Sequence, residues 1–110
     1  MAVKIVDVPE KRRYEALLDE GADDGSGERS AVAGHAEYIR TPELIAFVHT
    51  EVEPGHEGQG IGSSLVRTSL DEARDAGLRV LATCPFYADW INRHPEYADL
   101  LYQARSKVSD

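Results

Sequence analysis

The sequence predicts a domain of the α+β class, and three adjoining segments carry this prediction. Leu44 to Val52 is an apolar run of strand length, apolar residues recur at helical spacing after Gly60, and Leu78 to Thr83 is a second strand-like run. A strand, a helix and a strand in this order predict a right-handed crossover with the two strands parallel and adjacent. We expect Leu44 to Val52 to be a central strand, because both of its faces carry apolar side chains.

The segments before this crossover are predicted to be strands and turns. Val3 to Val8 alternates apolar and polar residues but runs into Pro9 and a charged cluster, so a short strand and an ordered tail both remain open. Gly21 to Gly27, rich in Gly and Asp, is predicted to be a turn or mobile loop. Ser30 to Ile39 is predicted to be a strand, followed by a turn at Arg40 to Glu43. One face of that strand is predicted to carry Val32, Gly34, Ala36 and Tyr38.

The helix after Gly60 has recognisable boundaries and a clear buried side. Gly77 is predicted to end it near residue 76, because glycine readily adopts the left-handed conformation of a helix C-terminus. Pro85 is predicted to begin a second, short helix at the position that proline favours. The apolar side of the first helix is predicted to consist of Leu65, Val66, Ser69, Leu70 and Ala73.

Three alternating glycines, Gly58, Gly60 and Gly62, stand where the strand gives way to the helix. Glycines at such a turn permit positive φ and close approach, and the free N–H groups of the new helix attract an anion. A glycine-rich turn without a ligand is the alternative. Nucleoside triphosphate chemistry is not expected, because Ile61 and Gly62 stand where a P-loop carries its lysine and hydroxyl residue. The glycine spacing also departs from that of a dinucleotide-binding fold.

Length and composition restrict the class of protein further. The 110 residues predict a single domain over 1–110, with residues 1–11 as a short strand or tail. A net charge of -8 argues against nucleic acid as a partner, and no apolar run is long enough to cross a membrane. The absence of a signal-peptide pattern and the single Cys84 lead us to expect a cytoplasmic protein. We also expect a monomer or a weak dimer.

Four motifs in one order make the chain similar to a known superfamily. Glu57-Gly58-Gln59-Gly60-Ile61-Gly62 is preceded by His49-Thr50-Glu51-Val52 and followed by Cys84-Pro85-Phe86 and His94-Pro95-Glu96-Tyr97. The chain resembles a small, single-domain branch of the GNAT superfamily of N-acetyltransferases over most of Arg12 to Leu101. The superfamily's pyrophosphate pattern, Q/R-x-x-G-x-G/A, falls on the glycine loop, with Glu57 in the Gln/Arg position.

This resemblance implies a minimal GNAT fold with a mixed sheet. It makes Tyr14 to Leu18 a strand, although Glu15 to Leu18 alone favours a helix. It also implies acetyl-coenzyme A as the donor and an amine, either small or on a protein, as the acceptor. Much of the helical segment that shapes acceptor sites between the first two strands of larger relatives is missing.

The resemblance also implies which residues contact the donor. The backbone of Thr50, Glu51 and Val52 corresponds to the splayed strand that binds the pantetheine arm and the thioester carbonyl. The glycine loop and the first helical turn correspond to the pyrophosphate site, which would consist of Gly58, Gln59, Gly60, Ile61, Gly62 and Ser63.

Cys84 and His49 are the candidate catalytic residues. Cys84 ends a strand and precedes the helix begun by Pro85, whose dipole favours a thiolate, although a buried structural cysteine is equally consistent. A functional Cys84 would carry the acetyl group, act as an acid toward the departing sulfur, or only line the site. His49 is a candidate base or a core residue with satisfied hydrogen bonds.

The sequence does not decide the roles of two further motif residues, and it leaves one alternative function. His94 and Tyr97 are predicted either to end a helix with Tyr97 packed on the core or to lie over the thioester. The histidines and Cys84 lack zinc-like spacing, so no metal is predicted. The rival to an N-acetyltransferase is a module that binds acyl-coenzyme A without catalysis.

Overall fold

The computed structural model of the chain describes residues 3–19, 30–55 and 60–102. One five-stranded sheet follows the order of the chain. Its strands are β1 (Val3–Val8), β2 (Arg13–Asp19), β3 (Ser30–Arg40), β4 (Leu44–Val52) and β5 (Arg79–Ala82). Strands β1 to β4 are antiparallel and β5 is parallel to β4, which confirms the mixed sheet and the crossover. The predicted turn at Gly21 to Gly27, together with Glu57, Gly58 and Gln59, lies outside the described residues.

The helices begin and end at the residues that the sequence indicates. Helix α1 (Ile61–Ala76) has Gly60 and Gly77 at its two ends, both in the left-handed conformation that glycine tolerates. Helix α2 (Pro85–Arg93) begins at its proline. Short 3-10 helices cover Pro9–Lys11 and Pro95–Leu100. No helix within the described ranges is long and apolar enough to cross a membrane.

Both α-helices pack on the same face of the sheet. Tyr14 of β2 donates a hydrogen bond to Glu72 of α1, and Phe47 of β4 stacks on Tyr87 of α2 at a centroid distance of 4.2 Å. Burial of a side chain such as Phe47 contributes roughly 1.5–3 kcal/mol. The largest fully buried side chains are Trp90, Tyr87, Phe47, Ile45, Leu65, Leu70, Val66 and Val80. In the described part of the chain, no helix covers the opposite face, which we call the open face.

Two irregularities in the sheet change which side chains face the helices. The pairing of β2 with β3 skips Ala33, so Ala33 is buried (1% exposed) and Val32 is 38% exposed. The prediction that Val32 shares a face with Gly34 is therefore wrong, because an extra residue reverses the alternation. The pairing of β3 with β4 likewise skips Val48, which is also exposed. Strand β4 is an inner strand as expected, with partners on both sides.

Candidate functional site

Strands β4 and β5 separate partway along their length. Their pairing runs from Leu44 with Arg79 to Phe47 with Ala82 and then stops. The last links are two hydrogen bonds to the carbonyl oxygen of Phe47, one from the Cys84 N–H and one from Thr83 Oγ1, both at 2.9 Å. Beyond them, the β5-facing edge of residues 48–52 has no strand partner among the described residues. Its N–H and C=O groups are available to an extended ligand.

The bulge at Val48 explains this separation. Strand β4 stays paired with β3 as far as Val52, and the N–H of Glu53 still donates to the carbonyl oxygen of Ala33 at 2.8 Å. An extra residue in one strand bends that strand and increases its twist. Strand β4 therefore follows β3 and turns away from β5, which leaves a V-shaped gap between the two parallel strands.

The N-terminus of α1 presents backbone N–H groups that no side chain of the described residues caps. Gly60 has φ of 80°, no side chain in the described residues caps the helix, and its first turn contains no acidic residue. The N–H of Ser64 donates to the carbonyl oxygen of Gly60 at 2.9 Å. The preceding N–H groups of Ile61, Gly62 and Ser63 have no acceptor within the helix, and the dipole places roughly half a positive charge there. This arrangement favours a bound anion.

The first turns of α1 and α2 lie against each other. A Cβ on Gly62 would be only 2.7 Å from Cζ of Phe86, so glycine allows the two helices to approach. Trp90 Nε1 donates a hydrogen bond to Ser63 Oγ at 3.0 Å. The guanidinium of Arg67, in the second turn of α1, lies over the Trp90 ring at 5.3 Å from its centroid.

Cys84 and Thr50 meet at the gap between the strands. Cys84 precedes the first residue of α2 and is 4% exposed. Its Sγ donates a hydrogen bond to Thr50 Oγ1, 3.5 Å away. The thiol is thus both a small buried group and a neighbour of the unpaired edge of β4. The burial agrees with the structural alternative of the sequence analysis, and a catalytic role stays a prediction.

His49 lies on the other side of the sheet. The bulge at Val48 turns the His49 side chain to the open face, where it is 55% exposed and its Nε2 lies 3.3 Å from Glu51 Oε1. The alternative of a core histidine is therefore wrong. Thr50, the next residue, pairs with the buried Ala36. His49 and Cys84 accordingly border the same stretch of β4 from opposite faces.

His94 and Tyr97 lie at the far end of α2. The His94 ring stacks on Trp90 at 3.7 Å, and the buried Tyr97 donates a hydrogen bond to Asp71 at 2.8 Å. Burial, helped by the bond to Asp71, raises the pKa of Tyr97, so it stays protonated. Nine residues of α2, about 13 Å of helix, separate this end from Cys84. Of the two alternatives for this motif, the structure shows Tyr97 packed on the core. It does not bring His94 and Tyr97 to the gap between β4 and β5.

The structure adds two residues that sequence reasoning missed. Thr83 fixes the end of the β4–β5 pairing through its hydroxyl, and no motif marks it. His35 of β3 lies beside His49, with 6.0 Å between ring centroids. The alternation of residues along β3 could have placed His35 on the open face. Its closeness to His49 depends on the register between β3 and β4, which the sequence of one strand does not reveal.

The comparisons with known proteins agree with this geometry. A family profile described as GCN5-related N-acetyl-transferase matches residues 13–100. The chain belongs to this family. It is similar to the L-amino acid N-acyltransferase MnaT of Escherichia coli (strain K12), with 36% identity over 61 residues, which are 51% of this chain and 36% of that protein. The chain thus spans about a third of the length of this curated relative.

A solved structure also shares the fold. The solution structure of a GCN5-like protein from Staphylococcus aureus superimposes with a TM-score of 0.63 at 21% identity. The superposition covers 93% of this chain and 90% of that one. It identifies the fold of this chain as the GNAT fold, with a mixed five-stranded sheet and helices.

Proposed function

We propose that this protein is an acetyl-coenzyme A-dependent N-acetyltransferase that moves an acetyl group to an amine. The observation that carries the proposal is the unpaired edge of β4 beside the uncapped N-terminus of α1. An edge of free backbone groups suits the amides of a pantetheine arm, and a helix N-terminus suits a pyrophosphate. Membership of the GCN5-related family supports the same reaction.

The donor would lie along the gap with its pyrophosphate at the glycine loop. The backbone of Thr50, Glu51 and Val52 would bond the pantetheine arm. The pyrophosphate would be bound by Gly58, Gln59, Gly60, Ile61, Gly62 and Ser63. The net charge of -8 repels a polyanion over long distances, so the local N–H donors at the start of α1 must outweigh this repulsion.

The transfer step needs a base for the amine and an acid for the leaving sulfur. The amine nitrogen attacks the thioester carbonyl from the open face, a C–N bond forms and the C–S bond breaks. His49, or a water at its place, accepts the proton that the amine loses. Cys84 donates its proton to the departing thiolate and regains one from solvent. The two residues suit these roles because they border β4 from opposite faces.

The acid role is preferred to a covalent acetyl-Cys84 because the thiol is buried and already acts as a hydrogen-bond donor to Thr50. The two mechanisms differ in what acetyl-coenzyme A does alone. A covalent carrier would gain the mass of one acetyl group without any acceptor. Intact-protein mass spectrometry that finds no adduct on an active enzyme supports direct transfer.

The activity test is incubation with acetyl-coenzyme A and a panel of amines. The panel contains free amino acids, polyamines, and peptides with a free N-terminus or a lysine. We expect thiol release matched by an amide product on at least one acceptor. Saturable coenzyme A binding with no product on any acceptor would instead support the non-catalytic binding module. Failure to bind coenzyme A would exclude both functions.

The two glycines that flank α1 provide a matched test of the anion site. Gly60 and Gly77 have φ values of 80° and 74°, and a Cβ at either would meet no atom of the described residues within 4 Å. Alanine at either position therefore introduces the same backbone strain, about 1–2 kcal/mol. We expect Gly60→Ala to weaken coenzyme A in calorimetric titration and Gly77→Ala to leave the affinity unchanged. Equal affinities in the two folded variants would remove the α1 N-terminus from the binding site.

A further inference from the structure

Strands β3 and β4 bring four ionisable side chains together on the open face. The register pairs Glu37 with His49 and His35 with Glu51, so histidines and glutamates alternate around a square. The bulge at Val48 is necessary for this arrangement, because strict alternation after Phe47 would turn His49 toward the helices. The square thus depends on a local irregularity of β4 and not on the strand pattern alone.

The distances within this square are close to those of a metal site. His35 Nε2 lies 3.2 Å from Glu37 Oε2, and His49 Nε2 lies 3.3 Å from Glu51 Oε1. Ligand atoms around a tetrahedral zinc ion, with bonds of about 2.0–2.2 Å, are separated by roughly the same distance. One ligand atom each from His35, His49 and Glu51 lies within 4.8 Å of the other two.

The side chains would have to move only slightly to coordinate a metal ion. The ligand atoms would have to approach one another by about 1.5 Å at most. The side chains of His49 and Glu51 are 55% and 56% exposed, so rotation about their own bonds can supply this movement. His35, whose side chain is only 12% exposed, is the fixed member of the group.

We propose that His35, His49 and Glu51 bind a divalent transition metal ion of the zinc class. Two imidazoles and one carboxylate suit zinc, cobalt or nickel better than calcium or magnesium, which prefer oxygen ligands. Three protein ligands leave a fourth position to water. Glu37, beside His35, is placed to accept a hydrogen bond from that water.

A bound ion would also affect the transfer reaction, a consequence that rests on the proposed function. An ion coordinated by the His49 Nε2 occupies the lone pair that would accept the amine proton. Metal binding and His49-assisted transfer therefore exclude each other, and micromolar zinc is expected to inhibit the enzyme. Binding itself is measured without any substrate, so a failure of the proposed reaction and a failure of the metal site are distinguishable.

The experiment is a titration of tag-free protein with zinc by calorimetry and with cobalt by absorption spectroscopy. We expect one zinc ion per chain with micromolar or tighter affinity. We also expect cobalt bands typical of a four-coordinate site. His49→Gln and Glu51→Gln should each weaken zinc by at least about 10-fold. Both side chains are more than half exposed, so these variants are expected to fold, and thermal melting verifies this.

His94→Gln and Glu53→Gln serve as matched controls. They remove one imidazole and one carboxylate elsewhere in the chain and leave the acidic background of the protein almost unchanged. We expect zinc affinity to persist in both. Equal affinity in the His49→Gln variant, or no saturable binding by the wild-type protein, would overturn the proposal.

Discussion

Gly34 offers a test of how closely the end of β4 approaches its neighbours. A Cβ at this position would lie 2.9 Å from the carbonyl oxygen of Glu51, 3.3 Å from Ile61 Cγ2 and 3.4 Å from Leu65 Cδ1. The first contact is with backbone, which cannot rotate away as a side-chain end can. Gly34→Ala must therefore shift β4 near Glu51, where the donor is proposed to bind.

Two opposing effects determine how much Gly34→Ala changes the free energy of unfolding. Overpacking of this kind costs typically about 1–3 kcal/mol. Gly34 does not have a positive φ, so alanine can adopt its backbone conformation. Alanine also restricts the unfolded chain, which stabilises the folded state by about 0.4–1 kcal/mol. We expect a net loss of about 1–2 kcal/mol in the free energy of unfolding. For a domain of this size, each kcal/mol lowers Tm by about 4–8 °C.

Urea unfolding and coenzyme A titration of the same variant complete this test. The variant should lose both stability and affinity for coenzyme A, because a shift of Glu51 also moves its neighbours Thr50 and Val52 on the proposed donor-binding edge. Gly77→Ala provides the comparison, since it strains the backbone at the far end of α1 without touching β4. A Gly34→Ala protein with wild-type stability and affinity would refute the close approach inferred here.

Three further substitutions test individual contacts. Cys84→Ala should slow acetyl transfer while leaving coenzyme A affinity within a factor of a few, which steady-state kinetics and calorimetry measure separately. Tyr87→Phe should lower stability in urea by about 1 kcal/mol, because burial raises the pKa of Tyr87 and the protonated hydroxyl bonds Ser69 Oγ at 2.7 Å. The hydrogen bond from Arg74 lowers the pKa of Asp99, so this carboxylate stabilises the fold above its unfolded pKa and loses that effect as pH falls through the lowered folded value. Asp99→Asn should therefore reduce Tm slightly at neutral pH and have no effect in strong acid.

The sequence predicted α1 and its ends correctly because the signals there are local. Gly60 and Gly77 adopt the left-handed backbone conformation, which glycine tolerates whatever its neighbours are. Strand β2 required the family resemblance, since the local preference of Glu15 to Leu18 is helical. Its two antiparallel partners and the ion pair between Glu15 and Arg13, 2.7 Å, stabilise the strand instead.

The candidate site was only partly predictable for a different reason. Cys84 and Thr50 were both identified along the chain, and the parallel crossover explains why they meet. The positions of Val32 and His49 were not predictable, because one extra residue in a strand reverses every later side chain and leaves no mark in composition. The closeness of His35 to His49 depends on the same register.

The short connection between β1 and β2 leaves open the side of the sheet from which we propose that an acceptor reaches β4. Only a single 3-10 turn, Pro9–Lys11, and Arg12 join these strands, and Arg12 adopts a left-handed conformation that reverses the chain at once. A connection this short cannot supply helices to cover the open face. Val48 and His49 consequently remain exposed beside the unpaired edge of β4. None of the described residues forms a wall over that face, so we expect the proposed acceptor to bring its own binding surface, as a peptide does, and not to be a small amine that needs an enclosing pocket.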